Sequence, residues 1–491
     1  MKKEDRFGVR ARSLLAISGL AIMLVLSGCP SNPDQAAKVN PDLSRSDLPS
    51  QITFRDHIAP IIYNNCTPCH REGGSAPFRM AQYEDVAKRA RMVSLVTSRK
   101  IMPPWPADPE YRHFLGEKVL SEEEIELIRL WAEAGAPQGD STKPVFPPAF
   151  PENSNLGEPD LVIKFPPHKI SGLGRDEFLL MKVPYEISKD TFVRTIEFVP
   201  GSRKIVHHMN GNLIEYPEGA KQNVFKGERV IKTDLDLDPG TVWKRMDLYQ
   251  DNGQLPAYPT LVSNYLPGVI QPEYPEGIGG FDLPRKGVFF INDMHYGPSS
   301  EEMVDESRFN IFFAESKPLR PTKEFLMGTV GKAGAPLNPP LIIPPDTVMT
   351  FRTQYTLPQP ISVVTLNPHM HLLGESFMAY AIEPSGDTIP LIKIDDWNFR
   401  WQYFYTLPTM LPLSKGTTIY VEGVMDNTSN NPDNPYDPPR VAREPTGNSM
   451  RTVDEMLQFI VTYVDWQPGD DTISLAGKQD QPFFTPRNPL P

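Results

Sequence analysis

Cysteine is nearly missing from this chain. Its 491 residues hold three, Cys29, Cys66 and Cys69, and none follows Cys69. Whatever folds beyond that point is held without disulfides. Histidine is scarce too, nine in all, so the places where it clusters carry information. Basic charge is in deficit: 49 Lys and Arg against 61 Asp and Glu, a formal net charge of −12. With no basic run outside the N-terminus, that argues against a nucleic-acid partner. Long apolar runs are also lacking. The longest, Ser13 to Leu26, spans 14 residues, too few for an ordinary membrane-spanning helix.

Proline, by contrast, is plentiful. There are 54, about twice the usual ~5%, which favours short strands and ordered loops over long helices. The length calls for several domains.

The N-terminus reads as an export signal. Lys2, Lys3, Arg6, Arg10 and Arg12 precede the apolar stretch, which ends in Leu26-Ser27-Gly28-Cys29. Those four residues resemble the lipobox of bacterial lipoproteins, in which the cysteine is lipidated and becomes the mature N-terminus. The alternative is a plain secretory signal that happens to end in cysteine. The expected layout is a signal over 1–29, a polar tether over 30–50, and anchoring in a bacterial membrane, facing the periplasm or exterior, through lipid on Cys29.

Residues 51–141 read as helical. Few breakers interrupt Gln82 to Arg99, and Ser121 with Glu124 forms a capping box ahead of Ile125, Ile128 and Trp131. Gly135 and Pro137 close that helix. Within this region Cys66-Thr67-Pro68-Cys69-His70 is a CxxCH. Its spacing lets two thiols add to the haem vinyls while the adjacent histidine reaches iron. A chance match or a thiol redox pair is the alternative. The region resembles class I cytochrome c, which implies one covalent haem c. The resemblance places the distal ligand at a methionine before prolines, here Met102 of Met102-Pro103-Pro104-Trp105, with Met80, His57 and His113 as rivals. A His/Met pair would make an electron-transfer haem.

After a Pro-rich linker over 142–158, containing KPVFPPAFP, the texture changes. β-rich runs appear at Phe192–Val199, Val288–His295, Ile361–Leu366, Leu391–Ile394 and Thr417–Met425, separated by Pro, Gly, Asn and Asp turns. The fold class expected is therefore multidomain: a small all-α cytochrome c domain, then two all-β sandwich or jelly-roll domains over 159–320 and 321–475, and a tail over 476–491.

Five histidines fall in three compact motifs: Val206-His207-His208-Met209, Asp293-Met294-His295-Tyr296-Gly297 and Pro368-His369-Met370-His371-Leu372. His57, His113 and His168 are lone and read as structural. On a strand His369 and His371 project from one face and can grip one ion. His207 and His208 point to opposite faces of an ideal strand, so a twist or bulge is needed before they share a metal with a third ligand such as His295. Imidazole suits copper and zinc alike, and a methionine thioether tips the choice to Cu(I).

With these motifs on the page, the stretch from Asp160 to Asp465 resembles the copper type II, ascorbate-dependent monooxygenases, which include the peptidylglycine α-hydroxylating and dopamine β-monooxygenases. The resemblance implies one copper on His207, His208 and His295. It implies a second on His369, His371 and Met456, the last within Thr452-Val453-Asp454-Glu455-Met456 ahead of an apolar strand. It also implies hydroxylation of a C–H bond of a small organic substrate with O2, the His369/His371/Met456 copper being catalytic. Two departures weigh on the substrate. The arginine that anchors a carboxylate two residues before the HxH pair in the peptide-hydroxylating enzyme is Asn367 here, and a tyrosine four residues after the copper methionine is Ile460. The fused haem suggests a built-in or relayed electron supply, fed by a periplasmic donor and delivering first to the copper of His207, His208 and His295. The competing reading is a non-catalytic copper and haem electron-transfer lipoprotein. A zinc hydrolase is weaker, since no HExxH is present.

Overall fold

The computed structural model describes residues 48–477, except 152, 236, 269–272, 332 and 446–452. The expected signal, tether and lipidation at Cys29, and nearly all of the expected tail, lie outside the described residues. Everything described belongs to one compact unit. Among the described residues no helix is long and apolar enough to cross a membrane.

The helical region gathers Ala59–Asn65, Tyr83–Ala87, Ala90–Ser98 and Glu122–Glu133. They close on a small core of Phe54, Ile58, Ile62, Tyr63, Val86, Val93, Ile128 and Trp131. The helical stretch expected over Gln82–Arg99 is two helices, divided at Lys88 and Arg89, the second of which leaves helical geometry. The capping box forms as the sequence suggests: Ser121 Oγ accepts from Glu124 N–H, and Glu124 Oε2 from Ser121 N–H.

The rest of the chain is β-structure in two layered units. In the first, a five-stranded sheet runs Val230–Lys232, Glu177–Glu186, Lys286–Tyr296, Val206–Glu215, Ala257–Tyr265 in spatial order. It faces a four-stranded sheet of Leu161–Lys164, Arg308–Phe313, Thr191–Val199 and Phe281–Leu283. Leu179, Met181, Met209, Phe289 and Ile291 of the one meet Ile196, Phe198, Phe309 and Ile311 of the other. The five-stranded sheet is covered on its second face as well, by Val242, Trp243 and Met246 of the Pro239–Arg245 helix and its end. Burial on both faces explains why Val288, Phe289, Phe290 and Ile291 run unbroken apolar within this strand instead of alternating.

The second unit pairs two four-stranded sheets. One runs Lys323–Gly328, Leu457–Asp465, Ile361–Met370, Tyr405–Leu413; the other Val348–Thr356, Thr418–Asp426, Gly374–Ile382, Thr388–Ile394. Phe351, Val363, Leu366, Phe377, Ile419, Leu457 and Phe459 fill the space between them. Arg320, at the join of the two units, makes a bidentate pair with the buried Asp470 carboxylate, which also accepts from Ser362 Oγ.

One segment leaves the region to which its neighbours in the chain belong. Residues 105–115, amino-acid neighbours of the helical region, pack into the second β-unit. Ala107 bridges Ile394, Asp108 N–H donates to Lys393 O at 2.9 Å, and Leu115 N–H to Thr406 O at 2.8 Å. Phe114 sits 5.0 Å from the Tyr405 ring, and both belong to that unit's core.

Candidate metal centres

Three histidines meet where the first unit's central strands end. In the pairing of Val206–Glu215 with Lys286–Tyr296, Val206 stands opposite Tyr296 and His208 opposite His295, so His207 is an extra residue at a register shift. That is the bulge the adjacent pair requires. It re-aims His207 toward the face His208 already occupies. The result is a cluster whose ligand atoms all lie within 4.8 Å of one another.

The orientation of the rings decides what the cluster can bind. His208 Nδ1 lies 3.4 Å from His207 Nδ1 and 3.3 Å from His295 Nδ1. The outer nitrogens of two rings are committed elsewhere. His208 Nε2–H donates to Asp293 Oδ2 at 2.7 Å and His295 Nε2–H to Asp176 Oδ1 at 2.7 Å. A neutral imidazole protonated at Nε2 presents a bare lone pair at Nδ1, so lone pairs are turned toward one another. A cation between them resolves that opposition, and carboxylates behind the ligand rings are the usual support of such sites. Burial, then the neighbouring His295 and His208, push His207 down to about 3. Burial also lowers His295, against the pull of Asp176. Burial raises Asp293, but the charge and hydrogen bond of His208 outweigh it and hold that carboxyl below its ordinary value. His207 and His295 are thus neutral and the carboxylates Asp176 and Asp293 ionised near neutral pH, the protonation a metal needs.

The second group lies in the other unit. His369 sits in Ile361–Met370 and His371 directly after it, with ring centroids 4.9 Å apart at 85°. His371 Nδ1 contacts Asp454 O at 2.5 Å, which leaves Nε2 for a ligand. Met370 pairs with Leu457 and His369 with Gln458. The ladder ends there, with His371 and Met456 the next residue along each chain. Met456 is buried. Glu455 locks the corner: its buried carboxylate accepts from the N–H groups of His371, Leu373 and Met456 at 2.6, 2.9 and 2.9 Å. Burial pushes Glu455 up to about 7 against those three donors. Burial and His371 together push His369 down to about 3, with the Gln402 side chain pulling the other way. Gly374, just past the pair, gives the Trp397 ring its room; a Cβ there would stand 2.5 Å from Trp397 Cδ1.

The two groups face each other across a single ring. Phe399 lies edge-on to His208 at 6.4 Å and to His371 at 5.7 Å between centroids. Asp293 and His208 act electrostatically on His369 and His371.

In the CxxCH, both Cys66 and Cys69 are free thiols, and burial pushes Cys66 up to about 12. His70 Nδ1 bonds to Phe78 O at 3.0 Å, which fixes the ring and leaves Nε2 as the atom that could take a ligand. Met80 is buried in the helical core, and its N–H donates to His70 O at 2.8 Å. Met102 follows the Ala90–Ser98 helix with its N–H on Val96 O at 3.2 Å. His57 accepts from Thr53 N–H, His113 meets Glu117, and His168 meets Glu177 while stacking on Tyr296.

Sequence reasoning named the histidines and missed their supports, Asp176, Asp293 and Glu455, and the Phe399 ring between the two groups. Asp293 lay within reach, two residues from His295 on a strand; the others come together only through tertiary contact.

No curated protein sequence matches the chain. Solved structures match only loosely. An allantoicase is 10% identical with TM-score 0.14, over 50% of this chain and 75% of that one. The PNGF-II structure is 9% identical with TM-score 0.17, over 65% of each chain. An infectious bursal disease virus structure is 10% identical with TM-score 0.12, over 65% of this chain and 85% of that one. The informative match is to a family, and it covers the stretch that carries His369, His371, Phe399 and Gln402: residues 338–434 match the C-terminal domain of the copper type II ascorbate-dependent monooxygenases.

Proposed function

We propose that the protein is a copper-dependent monooxygenase that hydroxylates a C–H bond of a small organic substrate with O2. We propose further that its electrons come through a c-type haem in the same chain, and that lipid on Cys29 anchors it in the bacterial envelope. The observation that carries the copper reading is the inward turn of three Nδ1 atoms, with two Nε2 atoms tied to Asp176 and Asp293, opposite an HxH pair in a matched monooxygenase domain.

The residues divide the work. His207, His208 and His295 would hold one copper; His369, His371 and Met456 the other, where the soft thioether favours Cu(I). Copper so held supplies one-electron chemistry toward O2. Asp176 and Asp293 fix the tautomers of the first group, and Glu455 pins the backbone that sets His371 and Met456. Phe399 keeps the space between the groups apolar. Cys66, Cys69 and His70 would hold the haem, for which the free thiols and the Phe78-anchored imidazole are suited, with Met102 as the distal ligand.

A second reading has an observation of its own. Asn367 stands where the peptide-hydroxylating relatives carry the substrate-anchoring arginine, and its Nδ2–H is spent on Tyr403 O at 3.1 Å. That favours either a substrate without a carboxylate or a copper and haem electron-transfer protein with no substrate. The deciding experiment loads the protein with copper, reduces it, and screens small organic compounds under labelled O2. Label in an organic product supports the enzyme. Two bound coppers with no O2 uptake beyond the slow background support the electron-transfer protein.

A further inference from the structure

Six of the nine residues from Trp397 to Tyr405 are aromatic, and metal binding does not account for them. This segment reaches from the CxxCH side of the molecule to the HxH pair.

At the outer end, the Tyr403 ring lies 5.5 Å from Trp105, and its hydroxyl donates to Pro104 O at 3.1 Å. Pro104 and Trp105 follow Met102 directly in the Met-Pro-Pro-Trp run. On its other side Lys118 Nζ lies 5.1 Å from the Tyr403 centroid and donates to Gly268 O at 2.8 Å. Gly268 lies against the second thiol: a Cβ there would stand 2.7 Å from Cys69 Sγ. Tyr403 therefore abuts both chain segments that would enclose a haem. At the inner end, Trp401 stacks on Tyr403 at 6.2 Å and 13°. Gln402, between them in sequence, donates through Nε2 to Phe399 O at 2.7 Å, and the Phe399 ring lies 5.7 Å from that of His371. The Tyr403 carbonyl takes a hydrogen bond from Asn367, two residues before His369.

Resting on the haem and copper readings above, we propose that Tyr403 and Gln402, with Trp105 and Trp401 packed on Tyr403, conduct one electron from a ferrous haem at Cys66, Cys69 and His70 to a cupric ion at His369 and His371. Iron goes from Fe(II) to Fe(III) and copper from Cu(II) to Cu(I); no bond breaks and no proton moves. Tyr403 serves as a bridge and not as a radical. Its hydroxyl points at a backbone carbonyl, which cannot accept the proton a tyrosyl radical must shed. The route leads first to the HxH copper, the reverse of the order expected from the sequence, and Phe399 then lies between that site and His208.

The test uses the full-length protein carrying haem and both coppers, oxidised and free of O2. A sub-stoichiometric pulse of photoreduced flavin reduces the haem, and its α-band is followed as it decays. Decay should be first-order and independent of protein concentration, as for a tethered donor. Tyr403→Leu and Gln402→Leu should lose the fast decay while keeping haem and copper content; Tyr403→Phe, which keeps the ring, should retain it. His369→Ala should lose it and His207→Ala should not. Should Tyr403→Leu fail to fold, Gln402→Leu carries the same test. Missing haem or copper, seen by metal and haem analysis before any pulse, overturns the underlying reading. Full occupancy with a parental rate in both leucine variants, or loss in His207→Ala but not in His369→Ala, overturns this proposal alone.

Discussion

His208 stands opposite His295 across two paired strands, and their Nδ1 atoms lie 3.3 Å apart while each Nε2 is held by a carboxylate. Two lone pairs pointed at each other are a poor arrangement for a protein alone and a good one for a cation.

The Asp293 carboxylate is therefore expected to matter although it touches no metal. Asp293→Ala removes the acceptor that fixes His208 with its Nδ1 lone pair inward. Copper affinity at this site should fall by about 10–100-fold, while the His369/His371 site keeps its copper. A Cu(I) competition titration measures both.

Met456→Ala should act selectively on oxidation state. The thioether is a soft ligand, so Cu(I) affinity at the second site should fall more than Cu(II) affinity. Equal losses would place the sulfur outside the coordination sphere. Anaerobic titrations in the two oxidation states tell the cases apart.

Acid should release copper late. Protons compete with metal for imidazole, and a free histidine begins to lose that competition near pH ~6.5. Burial holds His207 and His369 down near 3. Their neutral forms persist as pH falls through the ordinary histidine range, so copper should stay bound at pH 5. Copper content after dialysis across a pH series checks this; release centred near pH 6.5 would contradict it.

Asp470 tests the join between the β-units. Asp470→Ala leaves the buried Arg320 guanidinium without its bidentate partner and should cost about 3–5 kcal/mol. The Asp470 carboxyl is held below its ordinary value because Arg320, Ser362 and the Gln467 N–H outweigh burial. Its contribution is thus present above the unfolded carboxyl's pKa and lost as pH falls through the lower folded one. Denaturant unfolding of both proteins between neutral and acid pH shows the gap closing.

How much of this was legible in the sequence depends on the distance over which each signal acts. The His369/His371 spacing and the strands that carry them follow from a period of two, which is local. So does the Ser121 capping box. The bulge at His207 was legible as a requirement, since adjacent histidines cannot otherwise share a face; that Val206 and Tyr296 would pair to create it was not. Asp176 reaches His295 from 119 residues away, and Glu455 reaches His371 from 84; no periodicity links them. The aromatic run from Trp397 to Tyr405 was visible in composition, but its meaning depends on Trp105, which the sequence assigns to another region.

That last displacement has a practical side. Residues 105–115 are sewn into both sheets of the second unit, by backbone bonds to Lys393, Ile394 and Thr406 and by Phe114 against Tyr405. A chain trimmed to begin at residue 159 would lose Ala107 and Phe114 from a core it was meant to keep, and would bare the apolar trough beside Ile394 and Tyr405 to water. The helical region is less a detachable cartridge than a part whose own trailing edge serves as wall for its neighbour. Shearing one against the other would tear a hydrophobic seam, so the spacing between the CxxCH and the HxH pair is set by packing and not by the length of the Pro-rich linker.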